Sequence, residues 1–144
     1  MSELNFKLYQ TPMAENIGSY VLFQAGKGKK NQPSIYIENS VFDFIRGIIW
    51  NKYREFGNQK KINQINNDDW NRILAGFKEA VVDLKNCKSA KDIKSILFIP
   101  NQIDLESEAI FQSKENIQEL ITALIEWLET NLKKAKYILI IQNI

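Results

Sequence analysis

Three acidic side chains between residues 103 and 108 are spaced so that their carboxylates can act together. Asp104, Glu106 and Glu108, here called the acidic segment, are separated from one another by single uncharged residues. Because side chains alternate sides along an extended chain, these carboxylates would project on the same side. Hard cations favour several oxygen ligands, but the glycine and asparagine positions of a calcium loop are missing here. A solvated loop and an acidic docking surface for a basic partner are therefore the two open interpretations.

Lysines are concentrated in a short glycine-containing stretch, GKGKK, at residues 26–30. A phosphate-binding P-loop needs G-x-x-x-x-G-K followed by Ser or Thr, and it must open a helix. Here the spacing differs and another strand is expected next, so a solvated hairpin tip is the better interpretation. The alternative is a nucleic-acid-binding or regulatory module whose loop lysines contact phosphates as point charges. The lysines concerned are Lys27, Lys29, Lys30, Lys60 and Lys61.

Residue types that commonly perform catalysis are scarce in this chain. It contains no histidine and a single cysteine, Cys87, which excludes imidazole-based triads and an intramolecular disulfide. With no imidazole to activate its thiol, Cys87 is expected to be a buried or half-buried residue near a helix end. Asp68 and Asp69 are explained by a favourable position at the start of a predicted helix. We therefore predict a protein that is not an enzyme and that holds no metal or cofactor.

Length and composition indicate one folded domain spanning residues 1–144. The chain has 144 residues, of which 44% are hydrophobic and 25% charged, and this is enough to form one core. The net charge is only +2 and the charges are interspersed, which disfavours nucleic acid as the main partner. No run approaches the roughly 20 apolar residues that span a bilayer, and no signal-peptide pattern opens the chain. We expect a cytoplasmic protein with no membrane partner.

Hydrophobic periodicity divides the chain into five predicted strands and three predicted helices. The strands are expected at residues 5–10, 19–25, 34–38, 96–99 and 137–141. The helices are expected at residues 40–56, at 67–84 and from residue 114 to about residue 132, with a polar loop at 58–66. Ser40 and Asp43 have the spacing of a capping box for the first helix.

The predicted elements follow the order β-β-β-α-α-β-α-β, which indicates an α+β fold. Residues 96–99 (ILFI) and 137–141 (YILII) do not alternate, so both are expected in the centre of the sheet. The helix between them favours a right-handed parallel crossover, and the N-terminal hairpin would lie toward an edge. The prediction is a mixed sheet of four to five strands packed with three helices.

Two tryptophans lie at the margins of apolar helical stripes, whereas Trp70 lies inside one. Trp50 and Trp127 are therefore either residues at the edge of the core or anchors for a partner, since tryptophan is enriched at binding hot spots.

The order of these segments resembles the immunity proteins of bacterial polymorphic-toxin systems, above all those of contact-dependent growth inhibition. The segments that carry the resemblance are NIGS at residues 16–19, the aromatic-rich helix at 41–56, the amphipathic helix at 70–84, SILFIP at 95–100 and YILII at 137–141. The resemblance implies a protein that neutralises a cognate toxin, commonly a nuclease, inside the cell that produces it. It carries over no binding residues, because these proteins share no interface motif.

The leading hypothesis from the sequence is therefore an immunity protein that binds a toxin domain and occludes or deforms its active site. The expected contacts are Asp104, Glu106 and Glu108, joined by Trp50 or Trp127. The sequence leaves the oligomeric state and the activity of the toxin open.

Overall fold

A computed structural model describes four strands and five helices with defined bounds, which confirms the α+β class. It describes residues 6–10, 20–26, 33–56, 61–99 and 111–142. The elements in chain order are β1 (Tyr20–Ala25), β2 (Ser34–Glu38), α1 (Asn39–Phe42), α2 (Arg46–Lys52), β3 (Ile62–Asn66), α3 (Asn67–Asn86), α4 (Ala90–Ile96), α5 (Lys114–Leu132) and β4 (Tyr137–Ile141).

The four strands form one sheet in the order β2-β1-β4-β3, and every neighbouring pair is antiparallel. The predicted hairpin of β1 and β2 and the central position of β4 are confirmed. The predicted parallel crossover is wrong, because residues 96–99 form no strand: α4 extends to Ile96 and a turn follows it. With that strand missing, β4 lies between two antiparallel neighbours, β1 and β3.

The segment predicted as a polar loop at residues 58–66 contains strand β3 instead. Its residues alternate between exposed and buried, and Asn63 and Ile65 face the core. A buried asparagine breaks the apolar alternation by which a strand is recognised in sequence. Of the strand predicted at residues 5–10, residue 5 lies outside the described part, and Tyr9 makes an isolated bridge to Tyr36.

The helix predicted at residues 40–56 is broken into two short helices. Helix α1 ends at Phe42, a turn follows, and α2 begins at Arg46. The expected capping box is absent, since Glu38 is the N-cap of α1 and makes no side-chain capping bond. Asp43 instead forms an ion pair with Arg46 in the turn, where their side-chain atoms lie 3.3 Å apart.

Helices α3 and α5 pack together, and α3 lies against β3 and β4. The side chain of Asn66 accepts a hydrogen bond from the Asp69 backbone N–H at 2.9 Å and so begins α3, with both predicted aspartates in its first turn. Trp70 is fully buried, and its indole Nε1 donates to the carbonyl oxygen of Ile138 at 3.2 Å. Cys87 follows the end of α3 and is half-buried, as predicted.

Replacing Trp70 tests how strongly this anchor holds α3 to the sheet. Trp70→Phe should lower the free energy of unfolding by about 2 kcal/mol or more, because it leaves a cavity and removes the indole hydrogen bond to Ile138. The matched control is Trp127→Phe on α5, which should cost less than about 1 kcal/mol because Trp127 is only half-buried. Urea unfolding followed by far-ultraviolet circular dichroism measures both, and equal losses would contradict the assignment.

Candidate functional site

Among the described residues, five large hydrophobic side chains are exposed. Two of them, Trp50 and Phe98, lie on α2 and on the turn that contacts it. The exposed residues are Trp50, Ile62, Val82, Phe98 and Phe111. Trp50 is 45% exposed on α2, and Phe98 is 44% exposed in the turn after α4. Large apolar groups left on a surface are candidates for contact with a partner.

Gly47 brings α2 into direct contact with the turn that contains Phe98. A Cβ atom placed on Gly47 would lie 2.5 Å from the carbonyl oxygen of Leu97 and 2.6 Å from that of Phe98. The two backbones approach this closely only because residue 47 has no side chain. Trp50 lies three residues after Gly47, on the same side of the helix. We call Trp50, Arg54 and Phe98 the Trp50–Phe98 surface.

Phe98 adopts a backbone conformation that is normally reserved for glycine. Its φ angle is 55°, in the left-handed region. The N–H of Ile99 donates to Lys94 O at 2.9 Å and that of Phe98 to Ser95 O at 3.2 Å, the hydrogen-bond pattern of a left-handed helix cap. Leu97 and Ile99 are buried on either side and hold the turn in place.

The backbone conformation of Phe98 has an energetic cost, and the partial burial of its ring acts against that cost. The left-handed conformation costs a residue with a Cβ roughly 1–2 kcal/mol relative to glycine. The Phe98 side chain is 44% exposed, so more than half of it is covered, and the burial of that part acts against the cost. Strained backbone of this kind clusters at functional sites.

Arg54 stacks on Trp50 and fixes the orientation of its ring. The guanidinium carbon lies 3.9 Å from the ring centroid, and Arg54 Nε donates to the carbonyl oxygen of Asn51 at 3.4 Å. A stack of this type contributes about 0.5–1 kcal/mol at an exposed site. Tryptophan and arginine are the residues most enriched at binding hot spots, so this pair forms a preorganised contact for a partner.

Tyr53 lies between these two residues and ends α2. Burial, and then a hydrogen bond donated by its hydroxyl to Glu55 Oε2 at 3.0 Å, raise the pKa of Tyr53. The phenol therefore keeps its proton, and this hydrogen bond, from neutral into alkaline pH.

The sequence-predicted contact residues fall in three different places. Trp50 is exposed, as a binding role requires, whereas Trp127 is half-buried on α5 and packs against the core. The acidic segment lies outside the described residues, as do Lys27, Lys29, Lys30 and Lys60. Lys61 is exposed and directly precedes β3.

Two members of the surface, Phe98 and Arg54, were not predicted from the sequence. The prediction of a buried strand at residues 96–99 placed Phe98 inside the protein. A signal for α4 was nevertheless present: Ser89 and Asp92 have capping-box spacing, and the Ser89 side chain does accept from the Asp92 N–H at 3.2 Å.

Two concave regions on the helices offer less to a ligand. A groove of about 380 Å³ lies between α3 and α5, and the ion pair of Lys78 with Glu129, 3.2 Å apart, lines it. A second cleft of about 280 Å³ adjoins Cys87 between α3 and α4. No group of three or more histidine, cysteine or acidic side chains that could hold a metal ion occurs within the described ranges.

No family model matches the chain, and neither a curated protein nor a solved structure matches it. Among the helices that the structure describes, none combines the length and the apolar character needed to cross a bilayer. The functional proposal therefore rests on the Trp50–Phe98 surface and on the resemblance stated from the sequence.

Filling the space at Gly47 tests the contact that positions this surface. Gly47→Ala should lower the free energy of unfolding by about 1–3 kcal/mol, because the new methyl group meets two backbone carbonyls that cannot move independently. Gly76→Ala is the control, since its Cβ would meet mainly the flexible side chain of Lys52, and the gain of up to about 1 kcal/mol in helix propensity opposes the crowding. Thermal and urea unfolding compare the two, and a neutral Gly47→Ala would show that the close approach is not needed.

Proposed function

We propose that this protein acts by binding another protein through the Trp50–Phe98 surface. The proposal is supported by two exposed aromatic residues. Phe98 stays exposed in a left-handed conformation with its carbonyl against Gly47 of α2, and the exposed Trp50 of the same helix is stacked by Arg54. Glycine at residue 98 would suit the backbone conformation better, and the exposed part of the aromatic ring is available to contact a partner.

The partner that we propose is a bacterial toxin domain, and the chain is then its immunity protein. This part of the proposal rests on the resemblance in the sequence. The aromatic residues Trp50 and Phe98 suit such a role, because anchors that are ordered before binding lose little conformational entropy in the complex. The protein would neutralise the toxin by covering or deforming its active site, and no reaction by this chain is needed.

The acidic segment stays in the proposal as a second group of contacts. Only residues 100–103 separate Ile99, which follows the surface, from Asp104. Carboxylates near an aromatic anchor would attract a basic toxin such as a nuclease and increase its rate of association.

The first test uses the toxin domain that the proposal expects in the reading frame directly upstream. Phe98→Gly and Trp50→Ala should each weaken its binding about tenfold or more, which corresponds to about 1.4 kcal/mol, the range of a hot-spot residue. Phe98→Gly relieves the left-handed strain but removes the covered part of the ring, so the free energy of unfolding should change by no more than about 1 kcal/mol. Calorimetric titration measures the affinity.

Val82→Ala is the matched control, since Val82 is exposed on α3 and belongs to no proposed contact. Its affinity should equal that of the wild type. Unchanged affinity in both surface variants would remove the surface from the interface. If the wild type binds no toxin domain but binds DNA or RNA with a steep dependence on salt, the lysine loops are the functional element instead.

The second test concerns the acidic segment. Replacing Asp104, Glu106 and Glu108 together with alanine should slow association with the toxin and reduce its dependence on ionic strength. Circular dichroism checks that the variant stays folded, and stopped-flow fluorescence measures the association rate. A rate and an affinity equal to those of the wild type would confine the interface to the Trp50–Phe98 surface.

A further inference from the structure

The two edges of the sheet differ in how they are covered. At the β2 edge, Tyr9 and Tyr36 exchange two backbone hydrogen bonds of 2.9 and 2.7 Å, so that strand is partly covered. At the opposite edge, β3 pairs with β4 on one side only, within the part of the chain that the structure describes. An uncovered edge is a template for another strand.

The register identifies which backbone groups of β3 face outward. Lys61 O accepts from the N–H of Gln142 at 2.8 Å, and the N–H of Asn67 donates to Lys136 O at 3.1 Å. Odd-numbered residues therefore bond to β4, and Ile62 and Gln64 direct their N–H and C=O groups away from the sheet. The side chain of Ile62 is 51% exposed at this edge.

The devices that usually protect such an edge are missing from the strand itself. Its sequence, INQIN, contains no proline and no charged residue. The charges that flank the strand in sequence are an exposed lysine before it, Lys61, and an exposed aspartate after it, Asp68. They have opposite signs, and they lie at opposite ends of β3.

This distribution of charge is complementary to itself under two-fold symmetry. If two β3 strands pair antiparallel about Gln64, Ile62 of one copy lies opposite Asn66 of the other, and Lys61 lies opposite Asn67. Each Lys61 then meets the Asp68 end of the other strand, and the contact occurs twice. A parallel arrangement would instead place like charges together.

We propose that β3 pairs with β3 of a second copy of this chain, forming a symmetric dimer with one continuous sheet. The open N–H and C=O groups of Ile62 and Gln64 supply the hydrogen bonds, and Lys61 with Asp68 fixes the antiparallel register. The dimer does not use Trp50 or Phe98, so it is independent of the proposed binding of a toxin.

Sedimentation over a range of protein concentrations tests the dimer. The wild type should dimerise, and Gln64→Pro should weaken the dimer at least about tenfold because it removes an outward N–H. Lys61→Glu and Asp68→Lys should each weaken it about tenfold, since each places two pairs of like charges together. The double charge-swap variant should recover the wild-type dissociation constant to within about threefold.

Circular dichroism checks that each variant is folded. If Gln64→Pro does not fold, the Lys61→Glu, Asp68→Lys and double variants test the dimer without it. A wild type that stays monomeric at about 1 mM overturns the proposal, and the edge would then be left for a strand of a different protein. A dimer that keeps its affinity in both single charge variants also overturns it, because its interface must lie elsewhere.

Discussion

The absence of a side chain at Gly47 is the constraint on which the functional surface depends. It lets the backbone carbonyls of Leu97 and Phe98 lie directly against α2. That contact fixes the turn after α4, whose buried neighbours Leu97 and Ile99 leave the Phe98 side chain directed outward. The same side of α2 carries Trp50 one turn later, so a single backbone contact brings two aromatic residues to one surface.

The stability of the rest of the fold allows the protein to tolerate the left-handed backbone at Phe98. A left-handed phenylalanine costs roughly 1–2 kcal/mol, a sizeable part of the 5–15 kcal/mol that a typical domain retains. Trp70 offsets such costs by joining α3 to the central strands: its ring lies 6.0 Å from that of Phe23, and its indole bonds to Ile138. Within the described residues, the open edge of β3 is a second feature that folding alone does not require.

The parts of the fold that were predicted from sequence are those with long, regular patterns. Helices α3 and α5 have continuous apolar stripes, and the hairpin and β4 are bounded by turn residues, so local periodicity was enough. The prediction of a strand at residues 96–99 was wrong because four apolar residues fit a buried strand and a helix end equally well. Strand β3 was not predicted because Asn63 occupies a buried position. The break between α1 and α2 has no sequence signal that we recognise.

The candidate surface was only partly visible in the sequence for the same reason. Trp50 was identified because it lies at the margin of an apolar stripe. Phe98 was missed because a left-handed cap without glycine has no local signature, and its position follows from the contact of α2 with the turn after α4. The acidic segment was identified from spacing alone.

The most direct test of the proposed function uses the three tryptophans as reporters in proton–nitrogen correlation spectra recorded while the toxin domain is added. We expect the indole N–H signal of Trp50 to shift or broaden, whereas that of Trp70, which is buried and bonded to Ile138, stays unchanged. A Trp50 signal that is unaffected at saturating toxin, with changes confined to Trp127 or to residues far from Phe98, would contradict the proposed function.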